Sequence, residues 1–215
     1  MPHLDLTLER TPDPTPDRII SLVMAAGLAS RFGSDKRQAR LPDGRSLLES
    51  VLQTQRAALP EVWVLTRPAD AFAASLCAAL GCRHIEVPEV PNAPEAGPGM
   101  GRTLSLGLSL LSQEPDVSAA LVALADMPWV RQSTVEALLA AHRGREHADG
   151  AAIVPVHQRA LGHPRVLPRS LWPALLTLRA DQGARQAVDW SAARRVEVDD
   201  PGVLIDIDTP GDLSG

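Results

Sequence analysis

Lys36 is the one lysine in a chain whose 21 Lys+Arg residues are otherwise all arginine. A compact ammonium kept among guanidinium forks suits a task that needs a point charge. It closes the segment Ala25-Ala26-Gly27-Leu28-Ala29-Ser30-Arg31-Phe32-Gly33-Ser34-Asp35-Lys36, which follows directly on the apolar run Ile19–Met24. Gly27 permits a tight turn where a phosphate can approach the backbone, and exposed N–H groups there can form an anion nest. Arg31 and Lys36 add a fork and a point charge. The spacing is neither that of the Walker loop nor that of the dinucleotide glycine fingerprint. The plain alternative is a glycine-containing βα turn with two solvated cations.

Asp126 is the second candidate. It ends the run Leu121-Val122-Ala123-Leu124-Ala125, with Pro128 two residues on. A carboxylate at the end of a buried strand can hold a hard cation through oxygen while phosphates supply other ligands, the usual arrangement for Mg²⁺. The alternative is an aspartate capping the next segment. Asp206 and Asp208 fall on a predicted short strand, Val203–Ile207 and its end. Alternation there sends their side chains to opposite faces, so only one reaches the ion of Asp126. Asp208 or Thr209 can also cap a last helix opening at Pro210.

The elements that must place these groups are legible as hydrophobic periodicity. Apolar runs from Ile19, at Val62–Thr66, Ala119–Ala125 and Ala151–Val156 read as buried parallel strands. Helical stripes occupy Ser46–Leu59, Ala69–Leu80, Thr103–Leu111 and Ser133–His142. The alternation predicts an α/β fold with a mostly parallel sheet, right-handed crossovers and ligands beyond the carboxyl ends of the strands. Residues 83–101, with four prolines and three glycines, read as a mobile loop over that edge. Beyond Pro155 come a turn at Gly162-His163-Pro164, helical segments near Leu171–Leu178 and Asp181–Val188, and short strands at Arg195–Val198 and Val203–Ile207.

With 215 residues and 45% hydrophobic content, the chain can bury a core. A net charge of −5 argues against a basic nucleic-acid face, and two cysteines make neither a disulfide framework nor a zinc quartet. The N-terminus lacks a basic stretch followed by an apolar one, and no apolar run approaches the ~20 residues that span a bilayer. A cytoplasmic protein without nucleic-acid or membrane partners is expected.

The opening loop, read as Ala-Ala-Gly-x-x-x-Arg-x-Gly-x-x-Lys, resembles the signature of the MobA-like nucleotidyltransferases, most closely the molybdenum cofactor cytidylyltransferases of the MocA type. Five further segments keep the family's order: Gly99–Leu104, Leu124–Pro128, Gly162–Pro164, Asp181–Arg185 and Asp206–Leu213. The resemblance runs from Ile19 almost to the end. It implies a Rossmann-like three-layer fold of the nucleotide-diphospho-sugar transferase (glycosyltransferase-A-like) type, Mg²⁺ as cofactor, a nucleoside triphosphate, and release of pyrophosphate. Residues 1–17, which end in Thr-Pro-Asp-Pro-Thr-Pro-Asp, read as a Pro-rich tail or an edge strand, and 18–215 as one domain. Residues 18–156 then form the nucleotide-binding half and 157–215 the acceptor-binding part.

Carried onto this sequence, the resemblance makes Lys36, Arg31 and Asp126 catalytic and assigns the metal to Asp126 and Asp208. Nucleotide contacts fall to Ala25, Ala26, Gly27, Arg31, Gly33, Lys36, Gly99, Gly101 and Thr103. The acceptor site falls to His163, Arg185 and Asp206, with Ala180 standing where the family's Gly-Asp-x-Gly-Ala-Arg pattern opens on glycine. Guanylyl relatives read Ala-Gly-Gly at the strand end and carry one more residue between Arg and Lys. The form here implies CTP as donor and molybdopterin cofactor as acceptor, with a molybdoenzyme or its chaperone downstream. The alternatives are a guanylyl- or sugar-phosphate nucleotidyltransferase, or a non-catalytic cofactor carrier. Retention of both Lys36 and Asp126 argues against the carrier.

Overall fold

The computed structural model describes residues 18–27, 32–89, 98–144, 150–179, 184 and 187–214. The tail at 1–17, Arg31, Arg185 and most of the segment expected to be helical at 181–188 lie outside the described residues.

The sheet contains β1 (Arg18–Met24), β2 (Val62–Thr66), β3 (Arg83–Glu86), β4 (Val117–Leu124), β5 (Ile153–His157), β6 (Ala160–Leu161), β7 (Arg165–Pro168) and β8 (Arg194–Glu197). Their order is β3-β2-β1-β4-β7-β5-β6, with β8 paired to β5. The pairs β1–β2, β1–β4, β2–β3 and β5–β8 are parallel; β7 runs antiparallel to both β4 and β5. The expected mostly parallel α/β sheet is therefore observed.

Alternation along the strands divides the core into two layers. Ile19, Val23 and Ala25 join Ala119, Leu121 and Ala123 in one cluster, closed by α1 (Leu47–Ala58), α2 (Ala71–Leu80) and α4 (Gln132–Arg143). Ile20, Leu22 and Ala26 join Ala120 and Val122 in the other, under α3 (Met100–Leu111) and α5 (Trp172–Leu175). Because the central strands are covered on both sides, they read as unbroken apolar runs. Helix α1 starts where Ser46 and Glu49 form a reciprocal capping box. No helix among the described residues is long and apolar enough to cross a membrane.

Three local expectations are corrected. Residues 83–86 form strand β3 rather than loop, paired in register with Trp63–Thr66. Helix α3 begins at Met100 instead of Thr103, since Gly99 at φ +73 supplies the turn into it. No strand forms over 203–207. Pro201 lacks the donor a ladder needs, and Pro201–Leu204 winds into a 3₁₀ turn capped by Asp200. The buried Asp200 carboxylate also accepts from Arg131 N (2.9 Å) and Thr134 Oγ1 (2.6 Å), tying this turn to the start of α4.

Candidate functional site

The register of β1 on β4 sets Met24 opposite Leu124, so the chain leaves both strands at one edge, with Ala25–Gly27 beside Asp126. Ile207 brings the C-terminal segment to the same place by donating its N–H to the Asp126 carbonyl (2.8 Å). The carboxylate of Asp212 accepts from Thr209 N (2.7 Å) and Asp208 N (3.1 Å), which fixes the backbone that carries Asp208. These contacts place Asp126 and Asp208 around one cation.

That cation is Lys36. Its Nζ donates to Asp126 Oδ2 (2.9 Å), to the Ile207 carbonyl (2.8 Å) and, more weakly, to Asp208 Oδ1 (3.4 Å). Burial alone would lower the lysine pKa; the two carboxylates outweigh it and hold the ammonium above its ordinary value. Lys36 is largely enclosed, whereas Asp208 is half-exposed, with its side chain 48% accessible. The lone lysine is thus the hub of three chain segments distant in sequence.

Beside it opens a cavity of about 110 Å³, lined by Met24, Ala26, Gly27, Gly99, Met100, Thr103, Leu124 and Asp126. Seven of the expected nucleotide contacts fall in different surroundings. Ala26, Gly27, Gly99 and Thr103 line the cavity, and the Thr103 hydroxyl is spent on the Gly99 carbonyl (2.8 Å). Ala25 does not line it: its methyl lies in the opposite core layer and its carbonyl accepts from Arg37 (3.0 Å). Gly101 is buried inside α3, and Gly33 is exposed in the turn ahead of Lys36. The backbone at Gly27 is not left-handed, and a methyl group there would meet nothing within 4 Å. What glycine provides at that position is open space toward the cavity rather than a tight turn.

His163 occupies a neighbouring position. Its backbone N–H donates to the Val203 carbonyl (2.9 Å), and it lines a narrow, mostly apolar cleft with Leu124, Met127 and Pro164. Leu124 is a wall common to this cleft and the larger cavity. Gly162 is required by packing, because a Cβ there would sit 2.5 Å from the Val203 carbonyl. Asp206 is exposed, whereas Asp208 lies against Lys36 beside Asp126; no strand carries either residue, so the alternation argument does not apply to them.

The donor set suits a hard divalent ion. Asp126 Oδ1 is buried without a hydrogen-bond partner, beside the Oδ2 that takes the ammonium. Among the described residues no three ligating side chains cluster, so an ion held by Asp126 and Asp208 would complete its shell from phosphate oxygens and water.

Two residues escaped the sequence reading. Arg37, 6% exposed, forks onto Asp35 through Nε and Nη2 (both 2.8 Å) and bonds Asp70 through Nη1. The Asp35-x-Arg37 spacing was its only signal. Met100, 51% exposed, also lines the cavity, between the expected contacts Gly99 and Gly101.

The chain belongs to the family of the MobA-like NTP transferase domain, whose model matches residues 21–196. It is a nucleotidyltransferase by family. No curated protein sequence matches it significantly. Among solved structures it is similar to Rv0371c from Mycobacterium tuberculosis, at 22% identity and TM-score 0.73 over 91% of this chain and 95% of that one. The same mycobacterial protein in complex with manganese matches at 20% identity and TM-score 0.65, covering 84% and 88%. The 4-diphosphocytidyl-2C-methyl-D-erythritol synthase of Anaerococcus prevotii is 14% identical, with TM-score 0.67 over 91% and 92%. Molybdopterin-guanine dinucleotide biosynthesis protein A of Archaeoglobus fulgidus is 20% identical, with TM-score 0.60 over 90% and 94%. At these identities the likeness is one of fold.

Proposed function

We propose that the protein transfers a CMP moiety from CTP to a molybdopterin-type molybdenum cofactor, with release of pyrophosphate. The observation that carries this reading is the Lys36 ammonium held against Asp126 and Asp208 at the side of a cavity floored by Ala26 and Gly27. The nucleoside enters the cavity along Gly27, Gly99 and Thr103, and its phosphates extend toward Lys36. A terminal phosphate oxygen of the acceptor attacks the α-phosphorus. One P–O bond forms, the bond from the α-phosphorus to the bridging oxygen breaks, and pyrophosphate leaves with the electron pair.

Lys36, and Arg31 from the loop, stabilise the charge that accumulates on the leaving group, and His163 with Arg185 and Asp206 orients the acceptor. Mg²⁺ bound by Asp126 and Asp208 would supply charge neutralisation on the triphosphate. Such a reaction asks for positioning and electrostatics and needs no covalent enzyme intermediate. The choice of CTP rests on the Ala26 methyl, which narrows the cavity where the guanylyl pattern has glycine. Fold relatives named for a diphosphocytidyl product and for a molybdopterin dinucleotide separately illustrate the donor and the acceptor invoked here.

The test is pyrophosphate release from CTP, GTP, ATP and UTP with Mg²⁺ and the cofactor. Preference for CTP is expected. Preference for GTP overturns the cytidylyl reading, and tight acceptor binding with no release from any NTP establishes the carrier.

A further inference from the structure

We propose that Arg37 is a positioning residue for nucleotidyl transfer, setting where Lys36 and the Ala25–Ala26 peptide stand; the inference rests on the transfer reading above. The guanidinium joins three parts of the chain that are separate in sequence or in element. Its Nη1 reaches the Ala25 carbonyl at the end of β1, while Nε and Nη2 grip both oxygens of Asp35, which caps the turn carrying Lys36. A further bond goes to Asp70, the N-cap of α2. Only a planar fork with donors on several edges can serve all three; an ammonium concentrates its donors at one point.

Adjacency does the rest. Lys36–Gln38 is a 3₁₀ turn, in which consecutive side chains diverge by about 120°. With Arg37 drawn inward to Ala25 and Asp70, Lys36 is thrown to the side of Asp126 and Ile207, where its ammonium is found. The same anchor orients a backbone donor. A trans peptide directs its C=O and N–H oppositely, so holding the Ala25 carbonyl on Arg37 turns the Ala26 N–H the other way, and Ala26 lines the cavity.

Stability alone is a poor reason for this network. A buried ion cluster stabilises a fold no better than well-packed apolar side chains, since desolvation offsets the attraction. What it provides that apolar packing does not is a fixed direction for each partner.

The experiment is a double-mutant cycle measuring pyrophosphate release: Arg37→Lys in the native background and in Lys36→Ala, with Asp35→Asn, a softer and partly exposed break in the same anchor, run through the same cycle. If Arg37 acts through Lys36, Arg37→Lys lowers kcat by about 10–100-fold in the native background. In Lys36→Ala it costs less than about threefold more, because the group it positions is gone. The KM for nucleotide rises in both backgrounds, as expected for the Ala26 donor, and the melting temperature falls equally in both. Equal fold-losses in kcat in the two backgrounds overturn the proposal and leave Arg37 as structure alone. Should Arg37→Lys not fold, Asp35→Asn decides by the same pattern with a smaller loss. A native protein that releases no pyrophosphate from any NTP fails the transfer reading itself, and the inference falls with it.

Discussion

Replacing Lys36 by alanine tests the central arrangement most directly, because three effects of different origin are expected from one substitution. The ammonium makes two well-formed bonds, to Asp126 Oδ2 at 2.9 Å and the Ile207 carbonyl at 2.8 Å, and a weak one to Asp208 at 3.4 Å. At an effective dielectric near 20, the gross attraction at 3 Å is about 5 kcal/mol, most of it cancelled by taking the ammonium out of water. Charged hydrogen bonds of this kind net roughly 1.5–3 kcal/mol, and the half-exposed Asp208 contact adds at most about 1. A loss of about 2 kcal/mol is expected, which lowers Tm by about 4–8 °C for a chain of this size. Because the carboxylates hold the Lys36 pKa above its ordinary value, this contribution is present throughout the neutral range. It is lost as pH rises through the raised lysine pKa. Turnover should fall by about 10²–10³, the usual result of removing one preorganised charge contact. The two carboxylates, deprived of their cation, should then bind Mg²⁺ more tightly in the free protein, so millimolar Mg²⁺ raises the Tm of the variant more than that of the native chain. Scanning calorimetry with and without Mg²⁺ at matched ionic strength reads the effects on stability and metal binding, and steady-state pyrophosphate release reads the effect on turnover. A variant with native Tm, native response to Mg²⁺ and near-native turnover would refute the reasoning.

Asp126→Asn should reduce turnover by about 10²-fold and shift the Mg²⁺ titration to higher concentration; an unchanged titration makes Asp126 purely structural. Ala26→Gly should narrow a CTP over GTP preference in kcat/KM, expected to be at least about tenfold, since one apolar misfit is worth about 1–3 kcal/mol; an unaltered ratio shows that the base is chosen elsewhere. Burial works to raise the Asp35 pKa, but Arg37 outweighs it and holds the carboxyl below its ordinary 3.8. Its contribution to stability is therefore full above that value and is lost as pH falls through the depressed pKa. Asp35→Asn should be less stable than the native chain at pH 7, and the gap should close toward pH 2; a gap constant with pH would show that the Asp35–Arg37 pair contributes nothing through charge.

Sequence period revealed the sheet because β1 and β4 are buried on both faces, which leaves unbroken apolar runs that only a covered strand can tolerate. Lys36 and Asp126, which the fold brings to 2.9 Å of each other, stand out in the sequence because one is compositionally unique and the other ends such a run. The C-terminal segment differs from expectation for a physical reason: Val203 to Ile207 has the aliphatic composition of a strand, but Asp200-Pro201-Gly202 starts a turn whose packing is tertiary. A Cβ at Gly202 would lie 2.2 Å from the Trp129 carbonyl, a closeness no local pattern records. Arg37 was missed for a similar reason. Its partners Ala25 and Asp70 are distant in sequence, and an arginine among twenty carries no signal until the fold buries it.

The placement of Asp208 shows how the last part of the chain governs the first. Asp208 sits on no regular element of the sheet, yet its backbone is held twice over, by Asp212 from behind and by Ile207 bonded to the Asp126 carbonyl in front. The Ile207 carbonyl then closes the circle on Lys36, 171 residues earlier in the chain. The acidic pair is thus completed only when the C-terminal segment docks on the end of β4. The segment that places Asp208 also bears the Val203 carbonyl that seats the turn of His163. One backbone run therefore serves both the cation position and the neighbouring cleft. A shift in how it seats is felt at the two together, on either side of the wall they share at Leu124.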